Sequence, residues 1–287
     1  MKIGVLGILD VRVNGVLIAP TAPKPRQVLA LLALHADQVV PVFALTDELW
    51  AGRPPRSART TLQTYILQLR DLITAALEQE AATEPGAPRR SAKDVLVTAP
   101  GGYMLVSDGG DSDVREFERL AGMGYRAIDA GDFKQASRLL REALGLWVGP
   151  AFADIRTGAR LEMEAKRLEE SRLCALDQRI EADLRLGRHR ELLAELTVLT
   201  SRYRTHENLH AQFMVALHRS GRRGEALEVY HQLRGTLVRD LGLEPSARLR
   251  RLQQSILVAG AENLLGAESQ PLATAPLATA RVGSGSR

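Results

Sequence analysis

One helix-length stretch, residues 53–76 (RPPRSARTTLQTYILQLRDLITAA), constrains the fold more than any other part of the chain, because it must satisfy two surfaces at once. At 100° per residue Ala58, Leu62, Tyr65, Ile66, Leu69, Leu72, Ile73 and Ala76 fall on one apolar stripe suited to a core. The opposite face collects Arg59, Thr60, Gln63, Thr64 and Arg70, and no acidic residue occurs from Arg53 until Asp71. A merely solvated face is the bland explanation, but such faces ordinarily mix in Asp and Glu. Guanidinium, amide and hydroxyl groups alone suit phosphates and base edges in a major groove.

The flanks agree with that reading. Pro54 and Pro55 stop the preceding element, and Ser57 is a good N-cap for a helix starting at Ala58. Upstream, Pro25–Ala36 and Pro41–Trp50 have helical apolar spacing. Downstream, Asp94–Val106 places two β-rich runs around Pro100-Gly101-Gly102, which predicts a hairpin. The chain opens with strands over Ile3–Val13 and a favoured turn dipeptide, Asn14-Gly15. Strands, three helices and then a hairpin is the order of a winged helix-turn-helix domain.

From these residues the sequence resembles the Streptomyces antibiotic regulatory protein family, whose OmpR-type winged helix precedes a bacterial transcriptional activation domain. The matching segments are Lys24-Pro25-Arg26-Gln27 with VLALLALHA, Pro55-Arg56-Ser57-Ala58 with Thr61 through Arg70, and Gly101-Gly102-Tyr103. In the second half they are Leu168 through Arg172, Ile180 through His189, and Leu241-Gly242-Leu243-Glu244-Pro245-Ser246. The resemblance covers residues 1–258 in order. One departure is that Ala99 and Pro100 stand where family wings often carry a basic residue, which removes a wing-tip arginine for the minor groove.

A length of 287 residues suits about two domains, and 45% apolar with 25% charged residues is the composition of a globular protein. The single cysteine, Cys174, excludes an intramolecular disulfide and suits a reducing cytoplasm. No apolar run is long enough for a bilayer, so no membrane partner is expected, and Asp10 comes too early for a secretory signal. Net charge is +4, yet residues 1–108 hold 11 Lys/Arg against 10 Asp/Glu. Positive charge is therefore local, at Lys24/Arg26 and along Arg53–Arg70.

After Asp108-Gly109-Gly110-Asp111, which reads as the domain junction, the periodicity from Val114 to about Ala259 is helical. Turn-like starts recur at Gly131, Gly187 and Gly221, and the last two are 34 residues apart, the period of a tetratricopeptide repeat. A generic helical bundle is the other reading of so degenerate a repeat. Ala247–Val258 reads as the final helix. The expected fold class is mainly α with small β elements. The expected domains are 1–108, a winged helix-turn-helix, 111–259, a tetratricopeptide-like helical domain, and 260–287, a disordered tail with PLATA repeated at once. Gly86–Ser91 reads as a flexible insertion.

His206-Glu207-Asn208-Leu209-His210 matches the H-E-x-x-H zinc pattern, but Thr205 reads as an N-cap, putting the pair at a frayed helix start. No G-x-x-x-x-G-K-[ST] loop occurs, and a hairpin from residue 3 leaves no room for a receiver domain. The acidic pairs Glu162/Glu164 and Glu169/Glu170 read as solvated helix faces. Neither enzyme, metal nor cofactor is expected. The expected function is a sequence-specific DNA-binding activator, with a helical-repeat adaptor, its winged helix contacting protein, as the alternative. Arg59, Thr60, Gln63 and Thr64 would meet base edges or adjacent phosphates, Gln63 pairing with adenine. Lys24, Arg26, Arg56 and Arg70 would neutralise phosphates, with Tyr103 in a wing along the backbone. The resemblance implies tandem direct repeats upstream of secondary-metabolite genes. It also implies a dimer on double-stranded DNA and recruitment of RNA polymerase with its sigma subunit.

Overall fold

β1 (Lys2–Gly4) and β2 (Asp10–Val13) run antiparallel with Ile3 opposite Val11, and a turn leads to β3 (Val16–Leu17). Asn14 and Gly15 occupy that turn at φ 51° and 82°, the left-handed pair a primed hairpin turn requires. The Ile3–Val13 run is thus two strands around a loop, whose Val5, Leu6 and Leu9 are buried. The loop's amides are not orphaned. Val5 and Leu6 N–H donate to Asp113 Oδ2 at 2.7 and 2.8 Å, and Leu9 N–H donates to Asp154 Oδ1 at 2.8 Å.

α1 (Pro23–Leu34), β4 (Val40–Pro41), α2 (Val42–Trp50) and α3 (Ala58–Thr83) follow, then α4 (Ala92–Val95), β5 (Leu96–Ala99) and β6 (Gly102–Leu105). The second sheet has order β4-β6-β5, and Gly101 at φ 78° turns its hairpin. The winged-helix arrangement expected from the sequence is present, with α4 added and capped by a reciprocal Ser91–Asp94 pair. The computed structural model describes residues 1–83 and 90–267, so positions 86–89 of the expected flexible insertion lie outside the described residues.

The glycine-rich stretch at 108–111 does not release the chain. Asp108 (φ 56°) and Gly109 (φ 69°) turn it back, and β7 (Asp111–Ser112) pairs parallel with β1, completing a sheet of order β3-β2-β1-β7. α5 (Asp113–Asp129), α6 (Phe133–Gly145) and α7 (Ala159–Arg185) then share one hydrophobic core with the winged helix, running from Ile3 to Ala175. Gly124 lets α5 and α6 approach closely, since an added Cβ would lie 2.6 Å from Leu140 Cγ. Between α6 and α7 the buried Asp183 carboxylate accepts from Ser137 Oγ at 2.6 Å, Arg141 at 2.9 Å and Arg179 at 3.1 Å. The chain divides by contacts at Gly187, into Met1–Gly187 and Arg188–Arg287, rather than near residue 110.

The second unit comprises α8 (Leu193–Arg202), α9 (Glu207–Arg219), α10 (Arg223–Leu241) and α11 (Ala247–Ala267) around Met214, Leu217, Tyr230, Leu233, Leu237, Leu249 and Ile256. Gly131, Gly187 and Gly221 follow helices at φ 75–80°, the left-handed exit that places glycine at the turn of each expected repeat. α11 runs through Ala267, so residues 260–267 are helical where a disordered tail was expected; residues 268–287 lie outside the described residues. No helix among the described residues is long and apolar enough to cross a membrane.

Candidate nucleic-acid interface

Ala51 and Gly52, at φ 50° and 76°, end α2 and redirect the chain through Pro54-Pro55 into α3. Ala58, Leu62, Ile66, Leu69, Ile73 and Ala76 are buried along α3, which fixes its rotation about its own axis. Tyr65 is half-buried, and Leu72, assigned to the stripe from spacing, is exposed at the stripe's edge, on the same side as Tyr65 two turns on. Opposite the stripe Arg59, Thr60, Gln63 and Thr64 are all exposed, with Arg53 and Arg56 exposed in the loop before them. Thr64 Oγ1 donates to Thr60 O at 3.1 Å, which leaves its oxygen free to accept. Leu67 is 59% exposed on the same side. Gln68, also exposed, was missed by the sequence reading although it lies one turn after Thr64.

Four residues of the expected set are placed differently. Arg70 is directed at the wing: Nε and Nη2 donate to Leu96 O at 3.1 and 2.8 Å, and Nη2 also reaches Thr98 Oγ1 at 2.8 Å. Lys24 Nζ donates to Leu49 O, tying α1 to the end of α2. Arg26 donates to Pro20 O at 3.1 Å and pairs with Asp154. Tyr103 is 8% exposed and belongs to the core, opposite Val40 and Thr98 in the sheet, so it cannot lie along a phosphate backbone. These side chains hold elements together; Leu49, Leu96 and Asp154 lie 25, 26 and 128 residues from the cations that donate to them, so no local pattern marks those contacts.

Glu48 carries no local signal that would select it from the sequence. Its carboxylate is 2% exposed and accepts four hydrogen bonds. Oε1 takes Gln27 Nε2 at 2.7 Å and Gly158 N–H at 2.6 Å, while Oε2 takes the N–H groups of Arg160 and Leu161 at 2.9 and 3.0 Å. An acidic side chain from α2 thereby caps the first turn of α7, where unpaired amides and the helix dipole favour negative charge. Gly158 is required, because a Cβ there would lie 2.0 Å from Glu48 O.

The H-E-x-x-H histidines serve their own helix start. The N-cap is His206 rather than Thr205, with Nδ1 accepting from Leu209 N–H at 3.3 Å. His210 Nδ1 lies 3.0 Å from His206 O, and burial lowers its pKa from the usual histidine value. His35, beside α7, is likewise lowered, chiefly by burial, with Glu164 opposing and Arg167 and Arg160 assisting.

Comparison with known proteins matches residues 112–257 to the bacterial transcriptional activator domain and residues 19–86 to the C-terminal domain of transcriptional regulatory proteins. The chain is 56% identical to the regulatory protein DnrI of Streptomyces peucetius, over 90% of this chain and 92% of that one. It is 34% identical to the transcriptional regulatory protein EmbR of Mycobacterium tuberculosis, over 90% of this chain and 63% of the relative. The regulatory protein AfsR of Streptomyces coelicolor is 35% identical over 98% of this chain, which spans only 27% of it. The solved structure of Mycobacterium tuberculosis EmbR with a low affinity phosphopeptide superposes with a TM-score of 0.78 at 31% identity, covering 95% of this chain and 72% of that one.

Proposed function

Because the chain belongs to the Streptomyces antibiotic regulatory protein family of transcriptional activators, we propose that it binds duplex DNA sequence-specifically through the exposed face of α3. The observation that carries this reading is a helix clamped on one side by six buried apolar residues while Arg59, Thr60, Gln63 and Thr64 stand in solvent on the other. Gln63 and Thr64 read base edges, and Arg53, Arg56 and Arg59 neutralise phosphates. In this reading residues 1–108 supply the DNA contacts and 111–259 the activating surface. Two protomers bind head-to-tail on tandem direct repeats upstream of antibiotic-biosynthesis genes and recruit RNA polymerase with its sigma subunit. The protein works at the nucleoid, in the cytoplasm, and carries out no reaction of its own.

The test is selection of bound sites from random duplexes, followed by titrations across salt. Gln63→Ala should cost about 1–3 kcal/mol at the selected site and relax one base position. Arg59→Ala should weaken all duplexes alike and reduce the salt slope by roughly one unit. A salt-independent, sequence-indifferent association would instead favour the adaptor reading, in which the winged helix contacts protein.

A further inference from the structure

The second unit contains a groove of about 530 Å³ between α8, α9 and α10 that the DNA-reading role does not use. Its floor is apolar: Phe213 from α9, with Val229 and Leu233 from α10. Its walls carry Arg204, His231 and Arg239, together with Thr200, Ser201, Gln232 and Thr236, and no acidic side chain lines it. Arg204 is exposed and its guanidinium has no partner among the described residues. Arg239 is exposed and donates from Nε to the adjacent Asp240, leaving both terminal nitrogens for a ligand.

Gly235 lines the same groove from the middle of α10. Glycine weakens a helix interior, and packing does not demand it here, because an added Cβ would meet nothing within 4 Å. What its missing side chain does provide is open space along the groove wall.

We propose that this groove binds an acidic peptide segment of a partner protein, carboxylates at Arg204 and Arg239 and an apolar side chain on the partly exposed Phe213 and Val229. The volume is far larger than one phosphate needs and falls in the range of built binding clefts. A cationic wall over an apolar floor selects a segment combining Asp or Glu with a large aliphatic or aromatic residue. Helical-repeat domains use concave surfaces of stacked helices for binding. The inference concerns the second unit alone and does not depend on how α3 meets DNA.

The experiment selects random twelve-residue peptides on phage against the full chain, then measures the selected, dye-labelled peptides by fluorescence polarisation. Enriched peptides should pair two or more acidic residues with an apolar one. Gly235→Leu, which fills the groove without touching the fold, should weaken them at least tenfold, and Arg204→Glu with Arg239→Glu should abolish binding. Circular dichroism and a melting curve verify that each variant is folded. The proposal is overturned if enriched peptides lack acidic residues, if no peptide is enriched, or if folded Gly235→Leu binds as the parent does. It is also overturned if an unrelated 30-base-pair duplex displaces the peptide from the groove, which would assign these cations to nucleic acid.

Discussion

Removing the Glu48 carboxylate tests whether the winged helix and α7 are one structural unit. In Glu48→Ala the N–H groups of Gly158, Arg160 and Leu161 all lose their acceptor, while the Gln27 amide keeps only the Glu48 backbone carbonyl. Each buried donor left unsatisfied costs about 1–3 kcal/mol. Loss of an anion from a partly buried helix N-terminus adds up to about 2 kcal/mol. Water can enter beside the shortened side chain and re-solvate part of this, and neighbouring losses are not additive. We therefore expect a net loss of about 3–5 kcal/mol, a large share of the stability of a typical domain. Glu48→Gln retains the shape but turns an amide donor toward amide donors, so it should recover only part of the loss. The assay is urea unfolding of the full chain, followed by near-ultraviolet circular dichroism of Trp50 and Trp147, both in the first unit. A loss below about 1 kcal/mol for Glu48→Ala would show that α7 starts equally well without this cap. The account of Glu48 as the tie between α2 and α7 would then be wrong.

Arg70→Ala should loosen the wing from α3 and cost about 1–2 kcal/mol of stability, while leaving the salt slope of duplex binding unchanged, because its guanidinium faces Leu96 and Thr98. Salt titration of the variant checks this, and a reduced slope would return Arg70 to the phosphate-contacting set. His35 and His210 both have pKa values lowered below 6.5 in the fold, so the unfolded chain binds their protons more tightly. Their contribution is present above the unfolded value and is lost as pH falls through the folded one. Stability should therefore decline below about pH 6.5, and His210→Leu should flatten that decline in urea titrations between pH 7.5 and 5.5. A chain ended after Gly187 should fold cooperatively, whereas one ended after Gly110 loses Asp113 and every α7 partner of Glu48 and should not. Amide hydrogen exchange of the two truncated chains distinguishes these outcomes.

Much of this architecture was legible in the sequence because its causes are local. The α3 stripe follows from a 3.6-residue period, so six of its eight assigned positions are buried and Gln63 and Thr64 face solvent as expected. Asn14-Gly15, Gly101 and the glycines at 131, 187 and 221 could be read because left-handed backbone favours glycine or asparagine wherever the chain turns. The order of segments likewise carried the family resemblance. Only tertiary structure decided where each charge is spent. Lys24, Arg26 and Arg70 look like DNA-contacting cations along the chain, yet their acceptors are Leu49, Asp154 and Leu96. Glu48 looks like an ordinary amphipathic-helix glutamate until α7, 110 residues further on, brings its first amides to it. The extent of the first unit was hidden for the same reason. The glycines at 109 and 110 have the composition of a linker, but β7 pairs with β1 and the Asp113 carboxylate holds the amides of Val5 and Leu6. Periodicity and turn chemistry report what neighbours in the chain do to one another; a hydrogen bond between residues a hundred positions apart exists only once the core has brought them together.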